Sequence, residues 1–251
     1  MDIAYILQKP EFKELYDFSK KIFVPHEQFK YKNCISLNFF EKDIYSVKLY
    51  FATFFKCNKD LIGDYFNYHQ VDSLYNLWDI ENLDNKGLSF CIKYYPAKDV
   101  FKKQIHCKTR IGLAFKNLAF TNNNCRYGIG VEDGEVKIYG NFKDRQDKIA
   151  ISKYFNKPQL SFFEELEYCE SKDSSKVIAS YSSSDKELMC DLITKESLPE
   201  VYSFLNNIHT KYKIRARNIG FYNKHNIKSY YLYSEKTDNG IDTYKTFLEN
   251  L

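Results

Sequence analysis

The sequence predicts a closed, ten-stranded antiparallel β-barrel surrounded by helices, an α/β (α+β) fold assembled from ααββ repeats. Three observations predict it. Alternating apolar and polar residues recur in five pairs of segments, each pair joined by a turn-like stretch, and segments of helical spacing separate the pairs. In three second strands a lysine and a tyrosine share one face while apolar residues take the other: SVKLYF (Lys48, Tyr50), DGEVKIYG (Lys137, Tyr139) and NIKSYYLY (Lys228, Tyr230). An apolar outer face needs the cover that helices supply, and a sheet this wide curls until its edges meet. The lysines and tyrosines then point into a lumen wide enough to hold a ligand.

Each element follows from local chemistry. EFKELYDFSKKIF opens the chain with helical spacing. The first hairpin is CISLNFF, a turn at Glu41–Asp43, then IYSVKLYFATF; this pairing sets Ser36 and Asn38 on the face of Lys48. Helical spacing returns in DLIGDYFNYH and VDSLYNLW. The second hairpin is LSFCIKYY, PAKD, VFKKQIHCKTRI, with Gln104, His106, Lys108 and Arg110 as its polar face. In the third, RYGIGVEDGEVKIYGNF, Asp133-Gly134 suits a two-residue turn because both tolerate positive φ. Gly130 then lies opposite Lys137 and Gly128 opposite Tyr139, leaving room before the long side chains, while Val136 and Ile138 seal against helices. QDKIAISKYF and SFFEELE read as helices, followed by a fourth hairpin, LEYCES and KVIASYSS. KELMCDLI and LPEVYSFLNNIHTKY are helical. The fifth hairpin, ARNIGFY and NIKSYYLY with a turn at Lys224–Asn226, sets Tyr222 opposite Lys228 and Gly220 opposite Tyr230. IDTYKTFLENL closes the chain as a helix.

A chain of 251 residues with 44% hydrophobic content and no biased block is expected to form one domain, 1–251. No apolar run approaches the roughly 20 residues of a membrane span and no signal sequence opens the chain, so a cytoplasmic monomer without membrane contact is expected. A net charge of +4 without a dense basic block argues against a nucleic-acid partner. Seven scattered cysteines, never spaced as CxxC, read as reduced packing residues rather than a disulfide framework or zinc site. His26, His69, His209 and His225 read as surface or loop residues, Trp78 as core, and His106 as a hydrogen-bonded structural residue. P-loop, HExxH and GxSxG patterns are absent, and GIGVEDG crosses a hairpin rather than joining strand to helix. Alternation alone is what any half-buried strand shows; more telling is that Lys48, Lys137 and Lys228 recur at near-equal intervals on second strands. Lysines gathered in an enclosed site call for a polyanion, because buried ammonium groups without counter-charge are costly. A diphosphate meets that need.

Five hairpins alternating with helices around a basic, tyrosine-lined lumen resemble the prenyltransferase barrel of soluble aromatic prenyltransferases. Within that group the chain is most similar to the peptide prenyltransferases of cyanobactin biosynthesis, a pathway of ribosomally made peptides. LPEVYSFLNNI followed by NIKSYYLY resembles that family's last helix and Asn-Ile-Arg-Leu-Tyr-Tyr-Tyr ending, GVEDGEVKIYG its middle hairpin, and IHCK its His-x-Arg strand. The resemblance implies prenyl transfer, dimethylallyl or geranyl, from a prenyl diphosphate to a side chain or terminus of a ribosomal, cyclic peptide. Lys48, His106, Lys108, Lys137 and Lys228 would bind the diphosphate. Tyr50, Tyr139, Tyr181 and Tyr230 would shield the prenyl group. No organic cofactor and no protein-bound metal are implied, with Mg2+ as an optional companion of the diphosphate. The family's first-strand glutamate, which can accept the acceptor's proton, aligns with Asn38, so the catalytic base is left open. Two other readings share the barrel: prenylation of a small aromatic molecule, and an inactive barrel that only binds a ligand or peptide.

Overall fold

The computed structural model describes residues 2–22, 31–52, 89–109, 115–120, 126–132, 135–224, 226–235 and 240–251. Helices α1 (Ile3–Leu7) and α2 (Pro10–Ile22) precede the first hairpin, β1 (Tyr31–Phe40) and β2 (Asp43–Ala52). The second is β3 (Ser89–Tyr95) with β4 (Val100–Thr109), and the third β5 (Arg126–Glu132) with β6 (Glu135–Phe142). Helix α3 (Arg145–Tyr154) and a 3-10 turn at Pro158–Phe162 lead to β7 (Leu166–Glu170) and β8 (Ser175–Ala179). Helices α4 (Lys186–Glu196) and α5 (Pro199–Tyr212) lead to β9 (Ile214–Tyr222) and β10 (Ile227–Ser234). A short β11 (Gly240–Asp242) and helix α6 (Thr243–Leu248) follow.

Ten strands pair antiparallel in chain order, and β10 pairs with β1 to close the barrel. That is the predicted fold. The eleventh strand, which the sequence reading did not foresee, adds in parallel to β1. The core lies between the barrel's outer face and the helices. Leu37, Val47, Leu49, Ile105 and Ile129 point outward and are fully buried, as strand alternation requires. Helix α5 packs on β9 and buries Val201, Leu205, Ile208 and Tyr212, the spacing of one helical face, and Pro199 begins it at a position where no amide donor is lost. Its end is set by Lys213, which takes a left-handed φ of 56°.

Four details depart from the sequence reading. SFFEELE is not a helix: Pro158–Phe162 makes a single 3-10 turn that buries Leu160 and Phe163 at the eclipsed i, i+3 spacing, and the chain is extended from Phe163. Val136 does not seal against a helix, being 39% exposed. The first turn is Glu41-Lys42, one residue shorter than expected, but an irregularity between Asn38 and Phe39 restores the pairing of Ser36 with Lys48. In the fifth hairpin the turn runs from Asn223 to Asn226, one residue longer than expected, so Phe221 rather than Tyr222 pairs with Lys228. Asn223 is drawn out of the strand because its amide donates to Ser175 O at 3.0 Å and its Oδ1 accepts from Ser175 N at 2.8 Å. A one-residue slip turns every side chain to the other face. The segments DLIGDYFNYH and VDSLYNLW, the Asp133-Gly134 turn, Arg110, His26, His69, His225 and Trp78 lie outside the described residues.

Candidate functional site: the barrel lumen

Inward-facing side chains of all ten strands surround a cavity of about 350 Å3. The third hairpin shows how its wall is built. Gly130 pairs with Lys137 and Gly128 with Tyr139, as predicted. A Cβ on Gly130 would lie 2.7 Å from His106 Nδ1 and 3.1 Å from Tyr139 Cε2, so glycine lets those rings close over the backbone. The His106 ring packs edge-on between Tyr139 at 4.9 Å and Tyr50 at 5.8 Å. Gln104 Nε2 donates to Tyr139 OH at 2.9 Å, and Tyr50 OH donates to Ser89 Oγ at 2.8 Å, which fixes both phenols. Burial pushes both phenols above the usual tyrosine range, keeping them protonated.

The counter-charge in this wall is one the sequence reading missed. Glu132, 5% exposed, accepts from Lys93 Nζ at 2.8 and 2.9 Å and from Lys137 Nζ at 2.6 Å. Burial alone would raise its carboxyl pKa, but Lys93, Lys137 and Lys48 outweigh burial and hold it well below the usual carboxylate range. Lys48 itself makes no ion pair or hydrogen bond among the described residues. Across the β1–β2 ladder from it, Ser36 Oγ is buried and likewise lacks a partner there. Burial, followed by the positive fields of Lys48 and Lys137, lowers His106 to about 3, with Glu132 opposing. His106 is therefore a neutral ring in this lumen, not a third kind of cation.

A second cluster surrounds Lys176. Its Nζ donates to Ser229 Oγ at 2.8 Å and Tyr231 OH at 2.7 Å, and lies 4.8 and 4.9 Å from the ring centres of Tyr222 and Tyr231. Ser229 in turn donates to Asn38 Oδ1, while Asn38 Nδ2 donates to Ser46 Oγ at 2.6 Å. Asn38 is 2% exposed and fully engaged in this chain, and it does not line the cavity. Its amide is a neutral hydrogen-bonding link and cannot accept a proton as a carboxylate would.

Lys48, Tyr50, His106, Lys137 and Tyr139 are thus brought together in the lumen. Lys228 and Tyr230 are not. The register slip of the fifth hairpin turns them outward: Lys228 Nζ reaches Glu196 O and lies 3.3 Å from Glu196 Oε2, while Tyr230 packs on Phe39 at 5.7 Å and accepts from Ser197 Oγ at 2.9 Å. Tyr181 also falls outside the cavity wall, packing against the outer core with Arg217 5.8 Å over its ring. Lys108 pairs with Gly128, but its side chain lies outside the described residues. The slip brings Tyr231 and Tyr233 inward instead. Cys34, Cys91 and Cys169, read from sequence as packing residues, are thiols lining the lumen.

The missed residues had a signal. Lys93 alternates with Ile92 and Tyr94 on a first strand, and Lys176 with Val177 on the second strand of the fourth hairpin, so applying strand parity to every strand, rather than to the three lysine–tyrosine strands alone, would have found both. Glu132 shares the face of Gly128 and Gly130. Among the described residues, no group of three or more His, Cys, Asp or Glu is placed to hold a metal, and no helix is long and apolar enough to cross a membrane. No protein-family model matches the chain, and no curated protein matches it significantly.

Proposed function

We propose that the protein transfers an allylic prenyl group from a prenyl diphosphate to a side chain or terminus of a peptide. The observation that carries this reading is the Lys48 ammonium beside the buried Ser36 hydroxyl, neither with a partner among the described residues, in a lumen that also presents Lys93, Lys137 and the rings of Tyr50, Tyr139 and Tyr231. Lys48, Lys93 and Lys137 would bind the diphosphate, with Ser36 donating a hydrogen bond. As the carbon–oxygen bond breaks, the oxygen gains charge, and fixed ammonium groups stabilise that developing anion more than the ground state. Tyr50, Tyr139 and Tyr231 would present ring faces to the allylic cation. Neutral His106 adds an aromatic edge there without adding repulsion. Magnesium, where it accompanies the diphosphate, would arrive bound to it, and the Glu132 carboxylate, engaged by two ammonium groups, would stay with its lysines.

Acceptor size follows from the cavity. At about 350 Å3 it lies near the lower end of ligand pockets, so a donor and one acceptor side chain occupy it while the remainder of the acceptor stays outside. The test is incubation with dimethylallyl or geranyl diphosphate and a peptide pool, with indoles and phenols as competing acceptors, read by mass spectrometry. Peptide products heavier by isoprene units are expected. Absence of both donor binding and prenyl release would sink the reading, and products on the small aromatics alone would replace the peptide with that acceptor class.

A further inference from the structure

Lys176 differs from the other lumen lysines in its company. Lys93 and Lys137 reach the carboxylate of Glu132, whereas no carboxylate lies within ion-pair distance of Lys176 among the described residues. The residue is 6% exposed, yet it lines the cavity. Its stem crosses β9 at Gly220, where a Cβ would come within 2.6 Å of Lys176 Cε; the glycine leaves space for the lysine to lie against the sheet. Tyr231 OH, which accepts from Nζ at 2.7 Å, also lines the cavity.

Opposing forces set the amine's proton count. The rings of Tyr222 and Tyr231 favour an ammonium. Burial opposes it most strongly, and the charge of Lys48 comes next; with Lys93 they outweigh Cys169 and Glu167 and push the amine well below the usual lysine range. A desolvated amine beside other cations, with a hydroxyl in reach, is the arrangement that makes lysine a nucleophile.

We propose that Lys176 binds anionic carbonyl compounds covalently, as an imine. The Nζ lone pair attacks the carbonyl carbon and the carbonyl π pair moves to oxygen. Tyr231 hands that oxygen a proton and recovers one from the nitrogen. Loss of the second nitrogen proton and departure of the hydroxyl, together one water, leave the carbon–nitrogen double bond. No oxidant or reductant takes part. The compound is anionic because Lys48, whose field acts on Lys176, has no partner among the described residues and would take up a carboxylate or phosphate. Imine formation is independent of prenyl transfer and is read without a prenyl donor.

The test uses 4-formylbenzoate and benzaldehyde, which differ by one carboxylate, each followed by borohydride reduction and peptide mapping of the intact chain at pH 7. An ordinary lysine is unprotonated in roughly one molecule in a few thousand at that pH. Lys176 should therefore label at least about 10-fold faster than exposed lysines such as Lys172 and Lys224. It should also react faster with 4-formylbenzoate than with benzaldehyde, and Lys48→Met should remove that preference. Tyr231→Phe, which keeps the amine, should slow the adduct on the order of 100-fold without lowering its final yield. Labelling of Lys176 no faster than that of the exposed lysines overturns the proposal. Equal rates for the two aldehydes in the unaltered protein overturn the anionic ligand.

Discussion

The third and fifth hairpins carry nearly the same pattern, EVKIYG and IKSYYLY, and place it on opposite sides of the barrel. In the third, pairing across Asp133-Gly134 sets Lys137 and Tyr139 inward, against Glu132 and Gln104. In the fifth, one extra turn residue sets Lys228 and Tyr230 outward, against Glu196 and Ser197. Strand alternation states which residues share a face; only the turn states which face is the lumen. In the third hairpin Glu132 pairs directly with Glu135, whereas Asn223 could continue β9 or bond to β8, and its two bonds to Ser175 decide the matter.

The largest contrast should come from removing the carboxylate partner of each lysine. Glu132→Leu leaves the Lys93 and Lys137 ammonium groups together in a nearly dry wall and should cost about 3–5 kcal/mol of stability. Glu196→Leu removes the partner of Lys157 and Lys228, both about a quarter exposed, and should cost about 1 kcal/mol. Urea unfolding of both variants measures this. Equal losses would mean that the inner pair is as well hydrated as the outer one.

Removing the lysines themselves separates a ligand-facing charge from a structural one. Lys137→Met should weaken binding of inorganic pyrophosphate by about 1.5–3 kcal/mol, roughly 10- to 150-fold, with Lys228→Met leaving it unchanged. Titration calorimetry reads both. A matching loss in the outer variant would show that the anion binds elsewhere.

The fold was legible in the sequence because five hairpins and the helices between them repeat one rule, and any single ambiguous strand is corrected by its neighbours. Closure followed from outward apolar rows such as Leu37, Val47 and Leu49. The site was legible only where register was secure. Lys48 was placed correctly even though its turn was misjudged, because the irregularity beyond Asn38 restored the pairing. Lys228 and Tyr230 had no such compensation. Glu132 escaped notice because a carboxylate beside a turn reads as solvated until pairing brings Lys93 and Lys137 to it. Lys176 escaped because it stands on the second strand of the fourth hairpin without the tyrosine two residues on that marks the other three second strands, Ile178 taking that place.

Acid sharpens the contrast without a mutation. An unfolded histidine takes up a proton near pH 6.5, whereas His106 resists until about 3. Below pH 6.5 the unfolded chain therefore binds a proton that the native chain does not, and stability falls with falling pH, by at most about 1.4 kcal/mol per unit. Glu132 acts in the same direction, but only as pH falls below its ordinary value of 4.5. Between pH 6.5 and 5 the loss of up to about 2 kcal/mol belongs to the inner wall through His106. His106→Phe should flatten the decline in that window; an unchanged decline in that variant would place the acid-sensitive group elsewhere than this wall.

The smallest effects separate the two tyrosines. Tyr139→Phe keeps the ring and should change prenyl transfer little, whereas Tyr139→Leu removes the π face. The lost cation contact is worth about 0.5–2 kcal/mol, or on the order of 2- to 30-fold in turnover. Because the cation exists only near the transition state, donor affinity should change less than turnover. Tyr230→Phe removes the hydroxyl that accepts from Ser197 and should cost about 1 kcal/mol of stability with no change in turnover. The hydroxyl matters outside and the ring matters inside, although the two residues occupy equivalent places in their sequence motifs. A turnover loss in Tyr230→Phe, at unchanged donor affinity, would show that the outer face of β10 acts on the reaction through the inward Tyr231, and the division between the two faces would no longer hold.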